Sequence, residues 1–144
     1  MENNTGSDQA YIVYVDDDAD DLEMIAHALG TLDLSAKFQG YLDAGSALDF
    51  LHSIEQGGRL PSLMVLDLNM PGLTGAQALQ TLKEDPQYQD IPVVIFTNSD
   101  HPDHRKSVLA MGAEDFITKP YRYADIQKVC STFVGYLDRP PQRK

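Results

Sequence analysis

The run Leu63–Met64–Val65–Leu66 has no polar member, is bounded by Ser62 and Asp67, and leads at once into the turn-forming sequence NMPG. A short apolar run between turn formers matches a strand covered on both faces, as in a parallel sheet. Such a strand needs helices on both sides of it, and this restricts the fold more than any other feature of the chain. Asp67 stands at the strand's carboxyl end, where ligands and chemistry gather in open α/β sheets. Asp is also a favoured turn residue, so the local sequence leaves both readings open.

The same alternation runs through the chain. A first strand is expected at Tyr11 to Val15, ending on Asp16, Asp17 and Asp18, followed by a helix with Leu22, Ile25, Ala26 and Leu29 on one face. Asp18, Asp20 and Asp21 suit the start of that helix as capping and dipole-favoured acids. Asp16 and Asp17 precede it and are not explained that way. A second strand near Ala36 to Tyr41 is poor in apolar residues and reads as a sheet edge. The next helix, about Ala44 to Glu55, turns Leu48, Leu51 and Ile54 inward, and the one after Asp67, Gly75 to Glu84, turns in Ala78, Leu79 and Leu82.

The fourth strand, Pro92 to Phe96, ends on Thr97, Asn98 and Ser99. The helix after it, about Asp100 to Met111, places Val108, Leu109 and Met111 inward and stops at Gly112. A fifth strand, Glu114 to Thr118, ends on Lys119 and Pro120, and a last helix spans about Tyr123 to Leu137. Its inner face carries Ile126, Val129, Cys130, Phe133 and Leu137, so Cys130 reads as a small buried hydrophobe rather than a reactive thiol. Residues 1–9 read as a flexible leader, 10–138 as one domain and 139–144 as a flexible tail.

Strands alternating with helices imply a doubly wound, five-stranded parallel sheet with right-handed crossovers. The order 2-1-3-4-5 puts the first strand beside the third at the topological switch point. Asp16, Asp17 and Asp67 then meet at one edge, joined by Thr97 and Lys119 from the neighbouring strand ends. Three carboxylates so close repel one another unless a cation offsets their charge. Oxygen-only ligands point to Mg2+, with Mn2+ as the second choice. Lys119 offers a compact positive charge suited to a phosphoryl group, and Thr97 offers a hydroxyl.

The formal net charge of −11 over 144 residues argues against direct nucleic-acid binding and against an anionic membrane surface. No apolar run approaches membrane-spanning length, and MENNTGSDQ lacks the features of a signal peptide. The expected location is cytoplasmic.

Taken together, DD after the first strand, DLNMPG after the third, FTNS after the fourth and FITKP at the fifth resemble the receiver domains of two-component response regulators (CheY-like). The resemblance covers about residues 10 to 138. It implies a flavodoxin-like (βα)5 fold with Asp67 as phosphoacceptor. Asp16, Asp17, Asp67 and the backbone carbonyl of Asn69 would bind Mg2+, Lys119 would contact the phosphoryl group, and Thr97 would be the switch hydroxyl. Asn69 and Ser99 stand where the family tunes phosphoryl lifetime, and the Lys119–Pro120 bond is expected to be cis. By the same resemblance Thr97 would move toward the phosphoryl group on phosphorylation and Phe116, standing where a tyrosine is often found, would rotate inward. That biases the surface of the fourth helix, fifth strand and fifth helix, a face that also suits a homodimer.

A stand-alone response regulator is therefore expected, not an enzyme beyond catalysing its own phosphorylation and dephosphorylation. Its partners would be a histidine kinase, of hybrid or phytochrome type, or a histidine phosphotransfer protein, with the downstream protein partner unspecified. The alternatives are a phosphorelay intermediate that passes the phosphoryl group onward and an aspartate-nucleophile phosphatase. The phosphatase reading lacks the DxDx[TV] arrangement and a cap-like insertion. His101, Asp103 and His104 crowd the start of the fourth helix without a recognised metal-ligand spacing. His27 and His52 read as surface or packing residues, and Tyr121 and Tyr123 as a partner surface or partial packing.

Overall fold

The computed structural model describes residues 9–34 and 37–144. Five strands, β1 (Ile12–Val15), β2 (Phe38–Tyr41), β3 (Leu63–Leu66), β4 (Val93–Thr97) and β5 (Asp115–Thr118), alternate with five helices. The helices are α1 (Ala19–Gly30), α2 (Ala44–Ser53), α3 (Gly75–Glu84), α4 (Pro102–Ala110) and α5 (Tyr123–Val134), the last continued by a 3-10 turn over Gly135–Asp138. The strands form one parallel sheet in the order β2-β1-β3-β4-β5, as expected. The leader up to residue 8 and the expected start of the second strand at Ala36 lie outside the described residues.

Strand periodicity divides the core in two. Val13, Val15, Met64, Leu66, Val93 and Ile95 face one way and pack with Ala47, Leu51, Ala78, Leu79, Leu82 and Val108 of α2, α3 and α4. The alternate residues Ile12, Tyr14, Leu63, Val65, Val94 and Phe96 pack with Ile25, Ala28 and Leu29 of α1 and with Ile126, Cys130 and Phe133 of α5. Because the central strands are covered on both faces, they read as unbroken apolar runs.

Some inward faces differ from expectation. Ala28 is buried on α1 while Ala26 is half-buried, and Ala44 and Ala47 are the small buried residues of α2, with Leu48 and Ile54 at its margin. Leu109 on α4 is exposed although it neighbours buried Val108; helical spacing sends consecutive residues about 100° apart. The Lys119–Pro120 peptide, expected cis, is trans, since no cis bond occurs among the described residues. Trans is favoured by about 0.5–1 kcal/mol at an X–Pro bond unless packing dictates otherwise.

Residues 139–144, expected to form a flexible tail, lie docked across the amino edge of the sheet. Arg143 pairs antiparallel with Arg59, and Leu60 N donates to Gln142 O at 2.8 Å. Lys144 Nζ donates to the carbonyls of Leu51 and His52 at 3.2 and 3.0 Å, capping the negative end of α2. Composition alone suggested mobility because these backbone partners come from distant residues.

Candidate phosphoryl and metal site

Asp16, Asp67 and Lys119 each follow the last residue of a strand, and the ladder still holds their backbones. Asp16 N donates to Tyr41 O at 3.0 Å, Asp67 N to Val15 O at 3.1 Å and Lys119 N to Thr97 O at 2.8 Å. The side chains therefore start from a rigid frame. Gly75 is pressed onto the β3–α3 loop: a Cβ there would overlap the carbonyl oxygen of Asp67, so only glycine lets α3 begin so close to the acid. Gly72, at φ +75°, makes the turn between them.

Lys119 organises the site. Its ammonium donates to Asp16 Oδ2 at 2.7 Å, to Asp67 Oδ2 at 2.8 Å and to Asp21 Oδ2 at 2.8 Å, which uses all three of its hydrogens. Asp16 is fully buried, while Asp67 and Lys119 are 6 and 8 % exposed. Asp16 Oδ2 also accepts from Tyr14 Oη at 2.9 Å, and its Oδ1 accepts from Asp18 N at 3.0 Å. Asp67 Oδ1 accepts from Asn69 N at 3.1 Å, folding the loop back over the acid.

Burial pushes the Asp16 carboxyl above its ordinary range, and the Lys119 hydrogen bond pulls the other way without cancelling it. For Lys119, burial works against the charge, but its hydrogen bonds to Asp16, Asp21 and Asp67 outweigh it and raise its pKa. Tyr14 is raised by burial and by Asp16 beside it, so its phenol stays protonated as a donor. One ammonium thus serves several carboxylates, leaving negative charge in excess.

That excess fits a divalent cation. Ligand oxygens of Asp16, Asp17 and Asp67 lie within 4.8 Å of one another, and this is the one such group of His, Cys, Asp or Glu among the described residues. Asp17 is exposed while the other two are buried, so solvent reaches the cluster from one side. An all-oxygen set open to water suits Mg2+ or Mn2+.

A cleft of about 200 Å³ adjoins Lys119, lined among others by Tyr14, Asp21, Met24, Asn98 and Tyr121. A larger cavity of about 770 Å³ lies at the opposite edge, between the docked tail and the segment from Pro86 to Pro92. Size does not locate the chemistry here; the buried charges do.

The other expected residues stand close by but apart. Thr97 is fully buried at the end of β4, and its Oγ1 accepts from Ser99 N at 3.4 Å. Ser99 Oγ turns to His104 Nδ1 of α4 at 2.8 Å. Phe116 already lies inward, with Arg105 5.8 Å from its ring centroid and Arg105 Nη1 donating to its carbonyl at 3.1 Å. His101 caps α4, accepting from Asp103 N at 3.1 Å through Nδ1, so the histidine cluster is a helix start. Asp18 caps α1 as expected. Cys130 is buried, which pushes its thiol up to about 11.

Sequence reasoning missed Tyr14, Asp21 and Gly75. Tyr14 was within reach, because strand periodicity places it on the same face as Asp16. Asp21 looked sufficiently explained as a first-turn acid.

A model of the response regulator receiver domain matches residues 12–131. The chain belongs to this family. The receiver is 34% identical over 127 residues to the two-component response regulator ORR6 of Oryza sativa subsp. japonica, covering 85% of this chain and 70% of that one. Its fold is that of the phosphorylated cyanobacterial phytochrome response regulator RcpA, with TM-score 0.80, 23% identity, and 92 and 98% of the two chains covered. It is also similar to the Mn2+-bound response regulator Rcp1, with TM-score 0.77 and 25% identity over 94 and 99% of the two chains. Receiver domains are signalling proteins that take phosphoryl groups from histidine kinases or phosphotransfer proteins. Among the described residues no helix is long and apolar enough to cross a membrane.

Proposed function

We propose that this receiver accepts a phosphoryl group on Asp67 in a Mg2+-dependent reaction and signals through the surface formed by α4, β5 and α5. The observation that carries the reading is the Lys119 ammonium 2.8 Å from Asp67 Oδ2 at the edge of an acidic cluster. An Asp67 oxygen attacks the phosphorus of a phosphohistidine; the O–P bond forms as the P–N bond breaks, and the imidazole nitrogen leaves with the electron pair. Lys119 holds positive charge beside the transferred oxygens throughout. Asp16, Asp17, Asp67 and the Asn69 carbonyl would hold a Mg2+ or Mn2+ ion, which would supply further charge neutralisation.

Thr97 then turns its hydroxyl from Ser99 N to the phosphoryl group. The inward position of Phe116 favours the signalling arrangement, and the exposed Leu109 on α4 supplies apolar area for a partner or a second copy. Asn69, whose N donates to Asp67, and Ser99, beside Thr97, set how fast water returns Asp67 to its free form. The receiver works in the cytoplasm with a histidine kinase or phosphotransfer protein as donor.

The test is incubation with acetyl phosphate and Mg2+, followed by intact-mass analysis. A single base-labile phosphoryl group is expected, absent in Asp67→Asn and absent with EDTA. Incorporation that survives Asp67→Asn would sink the assignment.

A further inference from the structure

Resting on Asp67 as phosphoacceptor, we infer that Asp21 is a positioning residue that tethers Lys119 through the phosphoryl transfer. All three ammonium hydrogens are engaged, on Asp16, Asp21 and Asp67. Two of these acceptors have other duties. Asp67 forms the new bond to phosphorus, so the oxygen that becomes the bridge of the acyl phosphate loses its charge and its strength as an acceptor. Asp16 belongs to the acidic group whose oxygens converge for a cation, and its Oδ2 is shared with the Tyr14 hydroxyl.

Asp21 is free of both roles. It lies outside the convergent group, and its oxygen contacts the ammonium from α1, 98 residues away in sequence. Its own backbone is fixed, because Asp21 N donates to the Asp18 side chain that caps the helix. Its side chain is partly solvent-exposed, whereas that of Lys119 is 6 % exposed. When Asp67 is phosphorylated, one hydrogen of Lys119 passes to a phosphoryl oxygen while the Asp21 bond stays. The tether holds the ammonium in register for transfer and saves it from searching rotamers, a cost long lysine side chains otherwise bear.

The experiment is single-turnover phosphorylation by acetyl phosphate at saturating Mg2+, comparing wild type, Asp21→Asn, Asp21→Glu, Lys119→Gln and the Asp21→Asn/Lys119→Gln pair, each checked for cooperative unfolding. Asp21→Asn is expected to slow the step about threefold to tenfold, with the donor concentration at half-maximal rate little changed. Asp21→Glu recovers part of the rate. In the Lys119→Gln background the same Asp21→Asn change should cost less than about twofold, since the group it holds is gone. A purely structural role for Asp21 would make the two effects multiply, and that result overturns the tether. A wild-type rate in Asp21→Asn overturns it as well. An unlabelled wild type would instead bring down the Asp67 assignment and the tether with it.

Discussion

The two edges of the sheet carry opposite charge arrangements. At the carboxyl edge Asp16, Asp21 and Asp67 converge on Lys119 alone, with Asp17 beside them, and Asp16 and Asp67 are buried. At the amino edge, Arg139 meets Glu114 through two hydrogen bonds of 2.8 and 3.1 Å, and Tyr136 Oη adds a third at 2.9 Å. There Glu114 and Arg139 balance one another, and solvent reaches the pair. Buried unbalanced charge costs stability unless something binds to relieve it, while an exposed balanced pair contributes little either way. The carboxyl edge is built to bind, and the amino edge to close the fold.

Lys119→Ala puts the greatest strain on this contrast. It leaves Asp16 and Asp67 buried without their cation and should lower stability at neutral pH by about 3–5 kcal/mol, measured by urea unfolding in EDTA. A loss below about 1 kcal/mol would mean that the carboxyl edge behaves like an ordinary surface.

Metal binding should reverse part of the strain. Mg2+ at 100 times its dissociation constant should add about 2.7 kcal/mol, read as an upward shift in melting temperature, and Asp17→Asn should remove most of the shift. If Mg2+ leaves the melting curve unmoved, the acidic cluster is not a cation site.

The smallest expected effects lie at the amino edge. Deleting residues 139–144 removes backbone hydrogen bonds and the Lys144 cap, at a cost of about 1–2 kcal/mol, with phosphorylation unchanged. The two edges should also answer acid with opposite signs. Glu114 is lowered chiefly by its Arg139 hydrogen bond from an ordinary 4.5, so its contribution is present above that value and lost as pH falls through the lowered one. Asp16 is raised by burial from 3.8, so in EDTA its cost is absent below that value and grows as pH rises through the raised one. Urea titrations of Glu114→Gln and Asp16→Asn against pH separate the two; equal slopes would erase the distinction between the edges.

Much of this was legible in the chain itself. Leu63–Leu66 and Val93–Thr97 read as buried parallel strands because an apolar run between turn formers has few other uses, and α3 fell where its spacing put it, from Gly75 to Glu84. The gathering of Asp16, Asp17, Asp67 and Lys119 followed from strand order, since parallel strands deliver all their carboxyl ends to one edge. Periodicity and turn chemistry are local, and a sequence carries local information directly.

Tertiary structure alone decided the rest. Which of the early acids reaches Lys119 depends on how α1 is rotated against β5, and that rotation chose Asp21 while leaving Asp18 as the cap. The docking of residues 139–144 depends on backbone groups of Gly57, Gly58 and Leu60, some eighty residues earlier in the chain. The trans Lys119–Pro120 bond, the exposure of Leu109 and the place of Ala28 turn on small differences in packing. Such partners are joined by the assembled fold and not by spacing, so no local pattern could name them.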